Sequence, residues 1–125
     1  MTGKEKSKDY NLRKKYNITL EQYKKLLKKQ NGGCACCGMK NQTLQEGFNK
    51  SLVVDHSHIT GKVRGLLCVY CNRALGMVTE NPYSNVTPLQ YIQNTLNYVQ
   101  QHNMDDEFKL IKEGKSNFKT KGIGL

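Results

Sequence analysis

Large apolar side chains are scarce in this sequence of 125 residues, which contains no tryptophan and only two prolines. Leu, Ile, Val and Phe together supply 28 residues, about 22% of the chain. That share lies just above the level of about 20% below which disorder is expected. The length favours one domain, since single domains most often contain about 100–150 residues. A core this thin usually needs a metal ion, disulfides or a partner chain to stabilise it.

Long apolar runs are also missing. Met1 is followed by a polar, charged run, which lacks the apolar core of a signal peptide. No apolar run approaches the roughly 20 residues of a membrane span. We therefore expect a chain that remains in a reducing cytoplasm. Its five cysteines then favour metal or redox chemistry over disulfides.

Acidic residues are few, and the net charge is +10. Residues 1–30 hold ten Lys or Arg against three Asp or Glu, so they carry most of that charge. A basic segment of this density suits a polyanion such as DNA, because each neutralised phosphate releases counterions. The alternative is a solvated surface. A membrane surface fits less well, since the segment has no apolar face with Trp or Phe.

Two helices are expected in the basic N-terminal part. Residues 1–8 are polar and Lys-rich, which predicts disorder. Asp9 is then placed to cap a short helix over residues 10–16. Thr19 and Gln22 form a T-x-x-Q capping box that starts a second helix.

The middle of the chain reads as strands followed by a helix. Residues 39–50 are expected to form a polar loop or an irregular hairpin. Residues 52–55 predict a short strand, and a turn at Thr60-Gly61 leads into a return strand over Val63–Leu67. Residues 72–79 should be helical.

The C-terminal part predicts two more helices. A second capping box begins at Thr87, with Pro88 at the first helical position, and the apolar spacing that follows predicts an amphipathic helix to about Gln101. A short helix is expected over residues 106–113. Residues 115–125 are interpreted as a flexible basic tail.

The cysteines form two C-x-x-C pairs, Cys34/Cys37 and Cys68/Cys71. Each pair can place two thiolates on one metal from a tight turn, and together they supply the four sulfurs of a closed tetrahedral zinc site. The alternatives are four buried cysteines or a redox motif, neither of which needs the spacing twice. Cys36 is the spare thiol. It could replace Cys37 beside Cys34, although the x-x spacing favours Cys37.

A polar cluster surrounds the second pair. Asp55 and His56 come at a strand end, and Asn72 follows Cys71 directly, so a zinc site would bring Asn72 near the hairpin. A carboxylate and an amide oxygen suit a hard cation such as Mg²⁺. A neutral His56 can take a proton from water. His58 could orient a phosphate, act as an alternative base or share a second zinc with His56. The plain alternative is that these are polar turn residues.

Several cations are candidates for phosphate contacts. Arg64 and Lys62 flank the return strand and Arg73 follows Asn72, so all three could hold phosphates near the metal. For Lys62 a solvated role is preferred. Lys24 and Lys28 on the second helix belong to the basic surface assigned to DNA, although the helix alone favours solvation for them.

The motifs together resemble the recombination endonuclease VII family of phages and bacteria, which belongs to the HNH or His-Me finger nucleases. The similarity covers about residues 10–100 and is most specific over residues 53–76. The residues that carry it are Cys34-x-x-Cys37, Val54-Asp55-His56-Ser57-His58, Thr60-Gly61-Lys62-Val63-Arg64-Gly65-Leu66-Leu67-Cys68, Cys71-Asn72 and Leu75-Gly76.

This resemblance implies an α+β fold with a small ββα-metal core, a four-cysteine zinc clamp and flanking helices. It also implies that Asp55 and Asn72 bind the catalytic Mg²⁺ or Mn²⁺, that His56 is the general base and that His58 assists at the phosphate. The family's best-known member has an acidic residue one turn after the Asn. This chain has Leu75 there, which leaves two protein ligands for the metal.

The function expected from the sequence is metal-dependent DNA endonuclease activity, with DNA as the partner and either a monomer or a homodimer as the acting species. If the chain is phage-encoded, it would act in the host cytoplasm. A zinc-stabilised DNA-binding module without catalysis is the alternative, and a redox or metal sensor rests on the cysteines alone. Among nucleases, junction resolution, nicking or homing-type cleavage and general degradation stay open. The expected parts are a basic segment, a zinc-clamped nuclease domain and a short helix with a tail (residues 1–18, 19–101 and 102–125).

Overall fold

The computed structural model describes residues 1–40, 42–45 and 48–115 and divides the chain into two compact units, Met1–Glu80 and Asn81–Leu125. Among the described residues, no helix has the length and hydropathy needed to cross a membrane. The first unit contains α1 (Gly3–Tyr16), α2 (Leu20–Lys29), β1 (Gln42–Gln45), β2 (Phe48–Lys50), β3 (Val53–His56), β4 (Val63–Leu67) and α3 (Val69–Thr79), and the second contains α4 (Pro88–Gln101) and α5 (Met104–Lys112).

Helix α1 begins much earlier than predicted, so the expectation of disorder over residues 1–8 is wrong. Thr2 and Glu5 form a capping box, in which the Thr2 hydroxyl accepts from the Glu5 amide at 3.1 Å and the Glu5 carboxylate accepts from the Thr2 amide at 3.2 Å. These bonds satisfy two of the free N–H groups at the helix start. Asp9 lies inside the helix rather than capping it. Its carboxylate accepts from the Leu20 amide at 2.8 Å, at the first residue of α2.

Helix α2 starts at the predicted capping box. The Thr19 hydroxyl accepts from the Gln22 amide at 3.1 Å, and the Gln22 side chain accepts from the Thr19 amide at 2.8 Å. Tyr23 is buried on the inner face, and its hydroxyl donates to the Leu52 carbonyl at 2.6 Å. That bond joins the helix to the entry of β3.

Strands β3 and β4 form the predicted antiparallel hairpin, with Val54 opposite Leu66 and Asp55 opposite Gly65. The register shifts at the next pair, where His56 lies opposite Val63. Arg64 is therefore an extra residue in β4, and a bulge of this kind bends the strand and changes where its side chains point.

The turn between the strands is held by the Ser57 side chain. Its hydroxyl accepts from the amides of Ile59 at 3.1 Å and Thr60 at 3.0 Å. The Ser57 amide donates to the Lys62 carbonyl at 2.9 Å, and Gly61 adopts a φ of 76°, a conformation that favours glycine. This turn fixes the backbone on both sides of His58.

Helix α3 begins at Val69, three residues before the predicted start. Cys68 is its N-cap, and the Cys71 amide points to the Cys68 sulfur at 3.4 Å. The second C-x-x-C pair is therefore the first turn of a helix. The buried core of the described chain gathers around this hairpin and helix start and consists of Leu12, Leu20, Tyr23, Cys34, Leu52, Val54, Leu66, Leu67 and Cys68.

Strands β1 and β2 pair antiparallel with an irregular register, which confirms the irregular hairpin that the sequence allowed over residues 39–50.

In the second unit, the Thr87 hydroxyl accepts from the Gln90 amide at 3.2 Å, so the predicted start of α4 is confirmed. The Gln90 side chain bonds to Asn94 rather than completing a capping box. Of the predicted basic tail, residues 116–125 lie outside the described residues.

Candidate functional site

The four cysteines of the two C-x-x-C pairs lie together. The sulfur atoms of Cys34, Cys37, Cys68 and Cys71 are all within 4.8 Å of one another, and those of Cys37 and Cys68 are 3.7 Å apart. Four sulfurs at about 2.3 Å from a tetrahedral zinc would be separated by about 3.8 Å. The cluster therefore has the donor type and the spacing of a structural zinc site.

The first pair is shaped by its own backbone. The Cys34 amide donates to the Met39 carbonyl at 2.9 Å, and the Gly38 amide donates to the Cys34 carbonyl at 3.0 Å. A Cβ atom on Gly33 would lie 2.7 Å from the Gly38 carbonyl oxygen, so this approach requires glycine. Cys36 is exposed and lies outside the cluster. The cluster thus contains Cys37 rather than Cys36 beside Cys34, which is the pairing that the C-x-x-C spacing favours.

Two thiols of this cluster, those of Cys34 and Cys71, have pKa values that are shifted in opposite directions. Burial opposes ionisation of Cys34, but backbone N–H groups, led by that of Cys37, outweigh it and lower its pKa to about 6. Burial raises the pKa of Cys71 far above its usual value, and its hydrogen bonds to Cys68, Cys37 and Cys34 add to that rise. Four adjacent thiolates repel one another, and a divalent cation removes this repulsion.

A cleft of about 500 Å³ lies between the β3–β4 hairpin and α3. It brings together Asp55, His56, His58 and Asn72, the four residues predicted to be catalytic, with Arg64. The residues that line it are Tyr16, Val53, Val54, Asp55, His56, His58, Arg64, Asn72, Leu75, Gly76, Thr79 and Glu80.

The bulge and the helix period explain this gathering. Asp55 and His56 are neighbours in a strand and would normally point to opposite faces, but the register shift at Arg64 lets both line the cleft. From α3, Asn72, Gly76 and Glu80 follow one another at intervals of four residues, which places them along one helix face. Gly76 adds no side chain to that face.

The two candidate histidines contact each other. The ring centroids of His56 and His58 are 4.9 Å apart, edge to face. Tyr16, the last residue of α1, also packs against His56, with the ring centroids 5.3 Å apart. Tyr16 and Glu80 contact the two candidate histidines, and sequence reasoning assigned neither of them to the site. Tyr16 showed only an apolar helix spacing with Leu12, and Glu80 comes after the predicted helix end.

Arg64 binds Asp55 directly. Its Nε donates to one carboxylate oxygen at 2.9 Å, and a terminal nitrogen donates to the other at 3.0 Å and to the His56 carbonyl at 3.0 Å. This hydrogen bonding to Asp55 raises the pKa of the guanidinium. Arg64 therefore contacts the same carboxylate that is predicted to hold a cation.

The other predicted DNA contacts lie away from this cleft. Arg73 and Lys28 are exposed and do not line it. Lys24 forms an ion pair with Glu5 at 3.0 Å, between α2 and α1. Their contacts with DNA stay predictions.

The donors in the cleft fit a hard divalent cation. Asp55 offers a carboxylate, and Asn72 offers an amide oxygen that has no hydrogen-bond partner among the described residues. Oxygen donors with open positions for water and phosphate are typical of Mg²⁺ and Mn²⁺ sites. The cleft contains no thiolate, so its donors differ in kind from those of the cysteine cluster.

The fold and these two sites define a small α+β protein with a four-cysteine metal-type site beside a polar cleft. Residues 9–101 match the profile of the family described as recombination endonuclease VII. The chain belongs to this family.

Two curated phage proteins are also similar to part of the chain. The gene 59 protein of Mycobacterium phage D29 is 47% identical over 58 residues, and that of Mycobacterium phage L5 is 45% identical over 58 residues. Each match covers 46% of this chain and 32% of the relative, so the aligned segment spans about a third of these relatives. No solved structure matches the chain significantly.

Proposed function

We propose that the protein is a metal-dependent DNA endonuclease of the HNH, or His-Me finger, type. In this proposal β3, β4 and α3 form the ββα-metal core, and residues 19–101 form the nuclease domain. The observation that supports it most is that Asp55, His56 and Asn72 line one cleft although 16 residues separate the last two. Membership in the recombination endonuclease VII family supports the same activity.

The chemistry is divided among the cleft residues. Asp55 and Asn72 would hold Mg²⁺ or Mn²⁺, which supplies charge stabilisation at the scissile phosphate and the leaving oxygen. His56 takes the proton from the attacking water. Tyr16 and His58 pack on the His56 ring and restrict its rotation. His58 faces the same cleft, where it can bind a phosphate oxygen.

Zinc on the cysteine cluster would have a structural role. All four positions are cysteines, which leaves no open position for water or substrate. Asn72 follows Cys71 directly in the first turn of α3. Zinc therefore fixes the backbone that carries one ligand of the catalytic cation.

DNA would be held mainly through its phosphates. The exposed lysines of α1 and α2, including Lys28, and Arg73 on α3 provide positive charge without base recognition. Lys24 is partly neutralised by Glu5 and would contribute less. The acting species is a monomer or a homodimer.

A cleavage assay on His56→Ala tests the proposal. The zinc-loaded full chain is incubated with supercoiled plasmid in Mg²⁺ and, separately, in Mn²⁺. Loss of a general base should slow nicking by about 100-fold or more, while DNA binding, measured by fluorescence anisotropy, stays unchanged. His102→Ala is the matched control, because His102 packs on Tyr98 in the second unit.

Retained cleavage by His56→Ala would exclude His56 as the base. A wild-type protein that binds DNA without cleaving it in either metal would instead indicate the zinc-stabilised binding module. Linear, nicked and four-way substrates, assayed side by side, separate junction resolution from nicking and from general degradation.

A further inference from the structure

We propose that Glu80 is a positioning residue that orients His58 toward the scissile phosphate. The proposal rests on the endonuclease function above and adds a residue to it. Nδ1 of His58 and Oε1 of Glu80 are 2.7 Å apart, and both residues line the cleft that contains Asp55, His56 and Asn72.

Both partners of this contact have fixed backbones. His58 lies in the turn held by the Ser57 hydroxyl. Glu80 is the C-cap of α3, and its amide donates to the Gly76 carbonyl at 3.0 Å. The two side chains therefore meet from two anchored elements, so the contact selects one orientation of the His58 ring.

The contact also decides which ring nitrogen is available. A carboxylate accepts a hydrogen bond from an N–H group, so Nδ1 of His58 carries the proton. The Nε2 atom is then left for substrate, and it donates to a phosphate oxygen when the ring carries its second proton. The rings of His58 and His56 pack edge to face. A change in the His58 orientation would therefore also disturb the packing of His56, the proposed base.

Glu80 is too far along the helix to share a cation with Asn72. The eight residues between them correspond to about 12 Å along the axis, whereas oxygens on one Mg²⁺ each lie about 2.0–2.1 Å from the metal. Leu75, one turn after Asn72, packs against the core instead of offering a carboxylate. The second carboxylate of this cleft, beside that of Asp55, thus comes from the C-terminal end of α3 and acts on a histidine.

Cleavage rates of Glu80→Ala and Glu80→Gln provide the first test, with saturating Mn²⁺ and zinc-loaded protein on supercoiled plasmid. Glu80→Ala should cleave about tenfold more slowly or worse, as expected when a group that orients a functional histidine is removed. Glu80→Gln should stay within about threefold of wild type, because its amide oxygen also accepts from Nδ1. The control is Glu113→Ala, which removes another exposed carboxylate from the C-cap of α5, where it pairs with Lys115 at 2.9 Å.

A double mutant separates orientation from other roles. If Glu80 acts through His58, Glu80→Ala should have no further effect in a His58→Ala background. The affinity for Mn²⁺, measured by electron paramagnetic resonance, should be the same in Glu80→Ala and wild type. Two-dimensional ¹H–¹⁵N spectra of the His58 ring should show the Nδ1–H tautomer in wild type and a mixture in Glu80→Ala.

Wild-type cleavage rates in Glu80→Ala would overturn the positioning role and leave the endonuclease function standing. A loss that persists in the His58→Ala background, or a weakened affinity for Mn²⁺, would also overturn it and would assign Glu80 to the metal or the DNA. A wild-type protein that cleaves no DNA would overturn the endonuclease function, and this proposal with it.

Discussion

Individual side chains in the cleft have more than one possible partner, and Arg64 shows this most clearly. Its guanidinium forms a bidentate contact with Asp55, the residue assigned to the cation. Planar, bidentate contacts, in which two nitrogens of one guanidinium donate to one carboxylate, are the stronger arginine–carboxylate pairs. A cation that binds Asp55 must therefore displace Arg64 or share the carboxylate with it. Arg64 would then become available for a phosphate.

Replacement of Arg64 should consequently strengthen metal binding. We expect Arg64→Gln to bind Mn²⁺ about two- to tenfold more tightly without DNA, since a half-exposed ion pair contributes about 1 kcal/mol. Electron paramagnetic resonance titration of zinc-loaded protein measures this. Lys62→Gln is the control, because it removes the same charge from the neighbouring turn. Equal or weaker Mn²⁺ binding by Arg64→Gln would show that Arg64 does not compete for Asp55.

Some site residues could be predicted from the sequence, and others could not. Asp55, His56 and Asn72 could be predicted because oxygen donors and a histidine stand beside a C-x-x-C pair in the sequence. The contact between His58 and Glu80 could not be predicted, because 22 residues separate them. The β3–β4 turn and the end of α3 must both form before the two side chains meet. The roles of all these residues in catalysis stay predictions.

Among the elements, α2 and β4 are joined by one side chain. Gln30, the C-cap of α2, accepts from the Leu66 amide at 2.9 Å and donates to the carbonyls of Leu66 and Gly33 at 2.9 Å each. The Ala35 amide also donates to the Leu66 carbonyl at 3.1 Å. The edge of β4 that does not face β3 is therefore satisfied by side-chain and loop groups at Leu66, the most buried residue of the core.

Removal of this side chain should destabilise the first unit. Gln30→Ala leaves the buried Leu66 amide without the Gln30 acceptor, and an unsatisfied buried donor costs about 1–3 kcal/mol. Urea denaturation followed by circular dichroism measures the loss. Lys29→Ala, one residue earlier on the exposed face, should stay within about 0.5 kcal/mol of wild type. Equal midpoints for the two variants would show that Gln30 does not support β4.

Helix starts were easier to predict than the contact between Gln30 and β4. The capping box at Thr19 and the cap at Thr87 rest on residues three apart, and both are confirmed. The capping box at Thr2 has the same local form but was overlooked because the surrounding lysines suggested disorder. The start of α3 lies before the predicted one because cysteine is not among the usual N-cap residues. Cys68 nevertheless caps the helix, with its sulfur 3.4 Å from the Cys71 amide.

At the scale of the whole molecule, stability depends on a small core. Two of the nine buried core residues in the described part of the chain, Cys34 and Cys68, are themselves members of the metal-type cluster. Binding of a structural zinc contributes about 10–16 kcal/mol in small zinc domains. The net stability of a typical domain is only about 5–15 kcal/mol. Zinc would thus decide whether the first unit folds.

Cys68→Ser should therefore abolish zinc binding and cooperative folding together. Its sulfur lies 3.7 Å from that of Cys37, and it also caps α3. Zinc content by mass spectrometry and thermal unfolding by circular dichroism provide the two measurements. Cys36→Ser should keep one zinc per chain and wild-type stability, because Cys36 is exposed and outside the cluster. A stable, metal-free Cys68→Ser protein would contradict the structural role of zinc.

The sequence by itself determined the features that depend on residues close together in the chain. The two C-x-x-C pairs, the strand–turn–strand over residues 52–67, the helix caps and the order Asp55-His56 follow from local spacing and residue chemistry. Only the tertiary structure decided which groups meet across longer stretches of chain. It placed Arg64 on Asp55 through a bulge, Gln30 on the edge of β4, and Glu80 on His58. These contacts depend on strand register and helix length, which the packing of the whole unit sets rather than any single segment.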